Sequence, residues 1–221
     1  MQHSKIKGMT TLQRPRLPKN LSPITLTHLE EHQEYAESEI SGSTLIEQSA
    51  GNVLFEEVIL RSTIFTGSRL PKLRLVDVRL EGCDLSGAFL EQARFRRVEL
   101  IGCRMMGVQL LSTQLDDVRF RECNLEGAVF VSSQTKTLRF EDCSLREAAF
   151  EEASLEGTIF KRCDLTNADL RNTNLQEADL RGSTLDGLQV SAKDMQGAII
   201  SPTQAIQVAG LLGVTVLDEE L

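Results

Sequence analysis

The residues best able to do chemistry are five cysteines, and they are evenly spaced: Cys83, Cys103, Cys123, Cys143 and Cys163. Such a set could form disulfides, bind a soft metal or react as thiolates. No CxxC pair occurs and no histidine falls among them, so a paired framework and a zinc ribbon are disfavoured. Buried thiols acting as small apolar fillers are the expected outcome. The histidines, His3, His28 and His32, all lie before residue 40. His28 and His32 are spaced to share a helix face, but no third ligand is placed, and solvent exposure is expected. Acidic pairs such as Asp116/Asp117 and Glu151/Glu152 would need a cleft to become acid-base partners. There is no phosphate loop, nucleophile elbow or serine triad. An enzyme is not expected, and neither is a metal or cofactor.

The cysteine spacing belongs to a stricter pattern. From residue 40 to 200, nearly every residue whose number ends in 0 or 5 is large and apolar, as in Leu75, Leu80, Leu85, Leu90 and Phe95, and only Ala50 and Thr135 break the series. Two residues earlier stands a small or β-branched one, such as Val78, Cys83, Ala88 or Val98. A helix would spread this period around its axis, and a long strand would alternate it between faces. Three residues can alternate before two must turn the chain, so the small and large residues both point inward. Like residues recur at a lag of twenty: the cysteines, Val58/Val78/Val98/Val118 and Phe120/Phe140/Phe160. One coil therefore has four sides. At the strand spacing of about 4.8 Å, about eight coils make a filled rod roughly 38 Å long. At that spacing parallel thiol Cβ atoms exceed the usual disulfide separation of roughly 3.5–4.5 Å.

Ala168-Asp169-Leu170, Ala178-Asp179-Leu180 and Cys163-Asp164-Leu165 match the motif A(D/N)LXX. The chain thus resembles the pentapeptide-repeat family over about three-quarters of its length. The resemblance implies an all-β solenoid, a right-handed quadrilateral β-helix. Asp or Asn before the large residue is frequent in the C-terminal half (Asp164, Asp169, Asn174, Asp179) and mostly replaced in the N-terminal half (Arg69, Arg74, Arg79, Phe89). Some members imitate DNA in shape and charge, bind type II topoisomerases and protect gyrase from quinolones. The segment Asp194–Ala198, with Gln204-Ala205 and Leu212-Gly213-Val214, is similar to the C-terminal cap of that group. What the resemblance implies is a protein partner such as DNA gyrase or topoisomerase IV, and a homodimer through the C-terminal end.

The ends read differently from the coils. Residues 1–20 carry Lys5, Lys7, Arg14, Arg16 and Lys19, with Pro15 and Pro18 and no acid, which predicts a flexible basic arm. Residues 21–39 predict a helical cap, with a helix over 27–38 opened by Thr27 and Glu30 and Leu29 packed on the first coil. In 201–221, Ser201-Pro202-Thr203-Gln204 predicts a helix start. The apolar stripe is Ala205, Val208, Ala209 and Leu212, the stop is Gly213, and Val214-Thr215-Val216 is expected as a short strand. Ile206 and Leu211 lie beside the stripe as candidate dimer contacts.

Most outward positions of the coils are polar, with exceptions. Ile101, Met106 and Leu111 follow inward residues on three successive sides, while Phe89, Leu111, Val129 and Val131 share one side across adjacent coils. A contiguous apolar patch would mark a partner surface; scattered apolar residues would be ordinary, and both readings stand. Arg74, Arg94, Arg96 and Arg97 cluster on one side, and Glu141, Asp142, Glu147, Glu151, Glu152 and Glu156 form an acidic belt further along.

The 221 residues carry 24 basic and 32 acidic side chains, a net charge of -8. That disfavours a general attraction to nucleic acid or an anionic membrane. No apolar run is long enough to span a bilayer, no apolar core of signal-peptide type opens the sequence, and a cytoplasmic location is expected. The coils hold 19 basic and 24 acidic residues, so the rod is only weakly negative for a DNA mimic. The function expected is a non-enzymatic protein-interaction module, with a topoisomerase modulator as its most specific form. The alternative is a scaffold or regulator with an unrelated partner.

Overall fold

A computed structural model describes residues 11–217. The period of five is visible first in the backbone. Every position ending in 2 or 7 has a positive φ from His32 to Gly187, whether glycine stands there (Gly87, 62°) or a larger residue (Asp77, 55°; Arg97, 52°). These are the corners. A left-handed conformation costs an L residue about 1–2 kcal/mol, so the bonds between coils must hold most of them in place. At Gly187, whose φ is 64°, a Cβ would lie 2.2 Å from Asn167 Oδ1, so the exposed Asn167 amide would have to swing away.

Between corners the chain is extended and each coil bonds to both neighbours. The Leu45 N–H donates to Ile64 O at 2.7 Å, and the Ile64 N–H donates to Ser43 O at 2.9 Å. Strands β1 (Ser22–Ile24), β2 (Glu34–Ala36), β3 (Ser38–Ser41), β4 (Leu54–Glu56) and β5 (Ile59–Arg61) are followed by four longer ones. These are β6 (Arg74–Glu81), β7 (Arg94–Ile101), β8 (Gln114–Arg121) and β9 (Gln134–Glu141), and β10 (Ile159–Lys161) closes the set. All pairs are parallel, and the lag of twenty runs from Glu34↔Leu54 to Asp179↔Ile199. The result is a four-sided parallel β-helix. Taking one coil, the first side holds 73–76, the second 78–81, the third 83–86 and the fourth 88–91.

The interior is a set of stacked columns. Phe120, Phe140 and Phe160 stack at 4.9 and 5.2 Å, and Phe130 and Phe150 at 4.8 Å, with edge-to-face contacts between the two columns. All five rings are buried. Thr135, which breaks the large-residue series, donates its hydroxyl to Ser154 O at 2.7 Å. The small inward position also accepts donors. Ser68 Oγ donates to Leu45 O at 2.7 Å, Ser133 Oγ to Leu110 O at 2.8 Å and Cys83 Sγ to Leu60 O at 3.4 Å, in each case to the carbonyl twenty-three residues back.

The ends depart from expectation in three places. Residues 27–38 form no helix. Instead β2 pairs with β4, and Tyr35 stacks on Phe55 at 5.0 Å. The open end of a coil offers unpaired donors and acceptors, and extending the ladder satisfies them where a helix would not. Leu29 is nonetheless buried against the core. The basic arm, from residue 11 onward, is docked rather than loose: the Gln13 N–H donates to Asp117 Oδ1 at 3.1 Å and the Arg16 N–H to Asp77 Oδ1 at 2.9 Å. Lys5 and Lys7 lie outside the described residues. Residues 214–216 form no strand, and Val214 and Val216 are exposed.

The C-terminal helix α1 spans Pro202–Leu211. Ser201 and Gln204 form a reciprocal capping box, with the Gln204 N–H donating to Ser201 Oγ and the Ser201 N–H to Gln204 Oε1. The Gln204 amide also donates to Leu180 O at 2.7 Å and Ser183 O at 2.8 Å. One buried side chain thus starts the helix and closes carbonyls left open by the last coil. The inward face is Gln204, Val208 and Leu211. Of the expected stripe, Ala205 and Leu212 turn outward, because buried Gln204 fixes the rotation of the helix.

Candidate functional site

The interior of the described coils is filled with packed side chains, and the outer sides differ in their chemistry. On the third side the five thiols are all free and buried. Neighbouring sulfurs of the column, with burial added, push Cys83, Cys123 and Cys163 up from the ordinary thiol range. The same sulfur contacts push Cys103 and Cys143 the other way, down to about 4, but burial of all five keeps the column away from an external electrophile. Among the described residues no group of three or more His, Cys, Asp or Glu is arranged to hold a metal.

The C-terminal coils also show why Asp or Asn precedes so many large residues. Asp164 Oδ1 accepts the Thr166 N–H at 3.0 Å, Asn174 Oδ1 the Gln176 N–H at 3.0 Å, and Asp169 Oδ1 the Arg171 N–H at 3.0 Å. Each carboxylate or amide caps the donor of the turn that follows it. Hydrogen bonding from the Arg171 guanidinium lowers Asp169, and the Arg181 guanidinium does the same to Asp179.

The second side is an ion-pair ladder. Arg61 pairs with Glu39 and Glu81, Arg79 with Glu99 at 3.2 Å, and Arg119 with Glu99 and Glu141. At the corner joining the first and second sides, Asp77 and Arg97 form an ion pair with both side chains largely buried. Burial would raise Asp77. The Arg97 guanidinium and the Arg16 N–H outweigh it and hold the carboxyl below its usual range. The docked arm runs along this corner.

The fourth side carries the apolar outward residues. Phe89 and Val129 stand in one ladder, Arg69↔Phe89↔Gln109↔Val129↔Ala149. Leu111 and Val131 occupy the neighbouring outward column, bonded through Ser112 N–H to Val131 O at 3.0 Å. Phe89 is 38% exposed, and Leu111, Val129 and Val131 are half-buried. The Arg69 guanidinium sits 4.2 Å from the centre of the Phe89 ring. These four share the fourth side, with Gln109 between Phe89 and Val129 in the ladder. Ile101 lies on the second side and exposed Met106 on the third, so neither joins the patch.

The six acidic residues encircle one coil as expected, but not all are free. Glu141 pairs with Arg119, Asp142 with Arg162 at 2.5 and 2.6 Å, and Glu152 accepts from Ser132 Oγ at 2.9 Å. Glu147, Glu151 and Glu156 have no ion-pair partner among the described residues. At the C-terminal end, Ile206 is exposed while Leu211 is partly buried against the core, so of the two candidate dimer contacts only Ile206 is presented. Of the clustered arginines, Arg74, Arg94 and Arg96 face outward and Arg97 does not.

Reading the sequence alone missed the ion-pair ladder, the docking of the arm and the double role of Gln204. The first had a signal: opposite charges twenty residues apart, as in Asp77/Arg97, Arg79/Glu99 and Asp142/Arg162. The arm carried a weaker one, in Leu12, Pro15 and Leu17, which are half-buried while their charged neighbours are exposed.

No helix among the described residues is long and apolar enough to cross a membrane. No curated protein sequence matches the chain. Among solved structures, full-length QnrB1, a plasmid-mediated fluoroquinolone resistance protein, is similar at 18% identity and a TM-score of 0.63, covering 88% of this chain and 98% of its own. HetL, a pentapeptide repeat protein involved in heterocyst differentiation regulation from the cyanobacterium Nostoc, is 21% identical over 75% of this chain and 87% of its own, at a TM-score of 0.32. At these identities the QnrB1 likeness speaks for the fold. Family models for a pentapeptide repeat region and for pentapeptide repeats (8 copies) match residues 73–150, 143–182 and 163–201. With the corner at every fifth residue and the filled four-sided coil, these matches place the chain in the pentapeptide-repeat family.

Proposed function

We propose that this protein is a non-enzymatic interaction module that docks on another protein through the outer sides of its β-helix. The observation that carries this reading is the gathering of Phe89, Leu111, Val129 and Val131 on the fourth side, whereas exposed Ile46 and Met106 stand singly on the third. Apolar residues gathered across adjacent coils fit a partner surface better than scattered exposure does. The filled interior supports a role without catalysis, because among the described residues the coils enclose no cleft in which a pKa could be tuned.

The most specific form of this reading is a modulator or protector of a type II topoisomerase, DNA gyrase or topoisomerase IV, acting in the cytoplasm. The QnrB1-like fold and the acidic belt support it, although ion pairs at Glu141 and Asp142 reduce the belt's free charge. A pairing of two copies through the C-terminal end is supported by the exposure of Ile206, Leu212, Val214 and Val216. The alternative partner is an unrelated protein served by the same patch.

The test is a gyrase supercoiling assay, with and without a quinolone, together with a gyrase pull-down. Protection or inhibition at micromolar protein, abolished in a Leu111→Arg/Val131→Arg variant that still folds, is the expected result. If the variant captures gyrase as well as the native chain, the patch is not the docking surface. If neither captures it, the topoisomerase reading fails.

A further inference from the structure

The first side holds a feature that neither the apolar patch nor the acidic belt explains. Over the two coils 72–76 and 92–96, its outward residues and leading corners are Lys72, Arg74, Val76, Gln92, Arg94 and Arg96. Four are cations and none is an acid. Arg74 and Arg94 are direct partners in the ladder, with Arg96 opposite Val76. Like charges directly opposed across paired strands are destabilising. On the second side most charges are compensated, since Arg61, Arg79 and Arg119 pair with Glu39, Glu81, Glu99 and Glu141, although Arg139, opposite Arg119, has no ion-pair partner among the described residues. On the first side, Lys72, Arg74, Arg94 and Arg96 have no ion-pair partner among the described residues, and Arg74, Arg94 and Arg96 are exposed. Beside them lies a shallow depression of about 340 Å³ lined by Asn52, Lys72, Arg74, Gln92 and Arg94. Two amide side chains there could share hydrogen bonds with an anion held by the cations.

We propose that this side is a second docking surface, independent of the fourth side, and that its occupant is an extended acidic segment of a partner protein. Three observations fix that choice. Lys72, Arg74 and Arg94 have no acid directly opposite them in the ladder and no ion-pair partner among the described residues, whereas the second side pairs most of its charges. Arg94 and Arg96 are two residues apart on one strand, a separation of about 6.6 Å, which equals the spacing of alternate side chains in an extended peptide. A peptide with carboxylates at alternate positions, lying along β7, would present one to each arginine, and its bidentate geometry suits guanidinium. The cationic area is also short. Glu56 and Asp116 bound it on the preceding and following coils, and the chain as a whole carries -8. A long polyanion such as a nucleic acid would overrun the area into repulsive charge, whereas a short acidic segment would not.

The test uses the full chain and three labelled probes, read by fluorescence anisotropy at low and at physiological ionic strength: a heptapeptide of alternating Glu and Thr, its Gln/Thr analogue, and an oligothymidylate of equal charge. The Glu peptide should bind and weaken with salt, as an exposed charge contact must, and the Gln analogue should not bind. Arg74→Gln/Arg94→Gln/Arg96→Gln should weaken the Glu peptide by roughly tenfold, since three exposed charge contacts are each worth a few-fold. The control Lys161→Gln/Lys193→Gln should bind as the native chain does. The triple variant should also melt no lower than the native chain, because it relieves repulsion, and that readout separates lost binding from lost folding. Failure of the native chain to bind the Glu peptide, equal loss in the control, or tighter binding of the oligothymidylate would each overturn the proposal.

Discussion

At the residue scale, the coil depends on side chains that stack on copies of themselves. Phe140 lies between Phe120 and Phe160 and edge-on to Phe130 and Phe150. Phe140→Ala would open a cavity that the rigid corners above and below cannot close. The expected loss is about 3–5 kcal/mol, read as a lowered urea midpoint. The turn-capping carboxylates predict a pH dependence. Asp169 and Asp179 have folded pKa values below their unfolded ones, so the unfolded state binds protons first as pH falls. Their contribution is full above the unfolded carboxylate value of about 3.9 and disappears as pH drops through the folded values. Asn at either position keeps the oxygen that caps the turn and removes only the charge. Asp169→Asn/Asp179→Asn should therefore be less stable than the native chain at pH 7, and the difference should vanish in acid. A difference that persists unchanged at pH 2 would show that the charge is not what matters. The repeat made these inward and capping residues legible one by one. It did not reveal which charges pair, because partners twenty residues apart meet only after the corner angles set the coil.

At the element scale, the two ends are closed by different means. The C-terminal end uses a helix whose Gln204 reaches back to the last coil. The N-terminal end uses a shortened turn, with β1 paired to β3 in the register Ser22↔Ser38, and then an arm that runs back along the rod. The arm is held mainly by backbone donors on Asp77 and Asp117, so it should be separable from the coil. Asp117→Gly removes one acceptor, and glycine suits the positive φ of 56° at that corner. The expected outcome is faster tryptic cleavage after Arg16, which Leu17 follows, with an unchanged melting temperature of the coil. Equal cleavage rates would mean that Asp117 does not hold the arm. A basic, proline-bearing segment reads as mobile because composition reports no contacts. Its half-buried Leu12, Pro15 and Leu17 are apolar, but too few to give a period. The missing N-terminal helix has a related cause: Thr27 and Glu30 satisfy a local spacing rule, yet Tyr35 and Ile40 already obey the rule of five, and pairing with β4 satisfies more backbone than an isolated turn of helix would.

At the scale of the whole molecule, the rod is patterned lengthwise and around its axis. Cations stand uncompensated on the first side near the N-terminal half, ion pairs clothe the second, apolar residues gather on the fourth, and carboxylates ring a coil further along. If both proposed surfaces are used, one solid scaffold holds different partners on different sides without any moving part. The proposed pairing of two copies would use the C-terminal end. In light scattering, Ile206→Glu should shift a dimer toward monomer while leaving the melting of the coil unchanged, because Ile206 is 58% exposed and makes no core contact. A mass that does not change would exclude Ile206 from any dimer contact.

The sequence by itself determined the coil: the inward pairs, the corner every fifth residue, the four sides and the burial of the thiols. It could do so because a repeat writes tertiary neighbours into the numbering, residue n beside residue n+20. It also determined that Phe89, Leu111, Val129 and Val131 share a side. Only the tertiary structure decided how the chain ends and which surface charges are free. Leu211 turned inward because Gln204 fixes the helix rotation. The arm docked because Asp77 and Asp117 offer acceptors along one edge. Arg97 was neutralised by Asp77 while Arg74, Arg94 and Arg96 were left exposed. Those outcomes depend on side-chain reach across corners, and the periodicity of the chain carries no information about that.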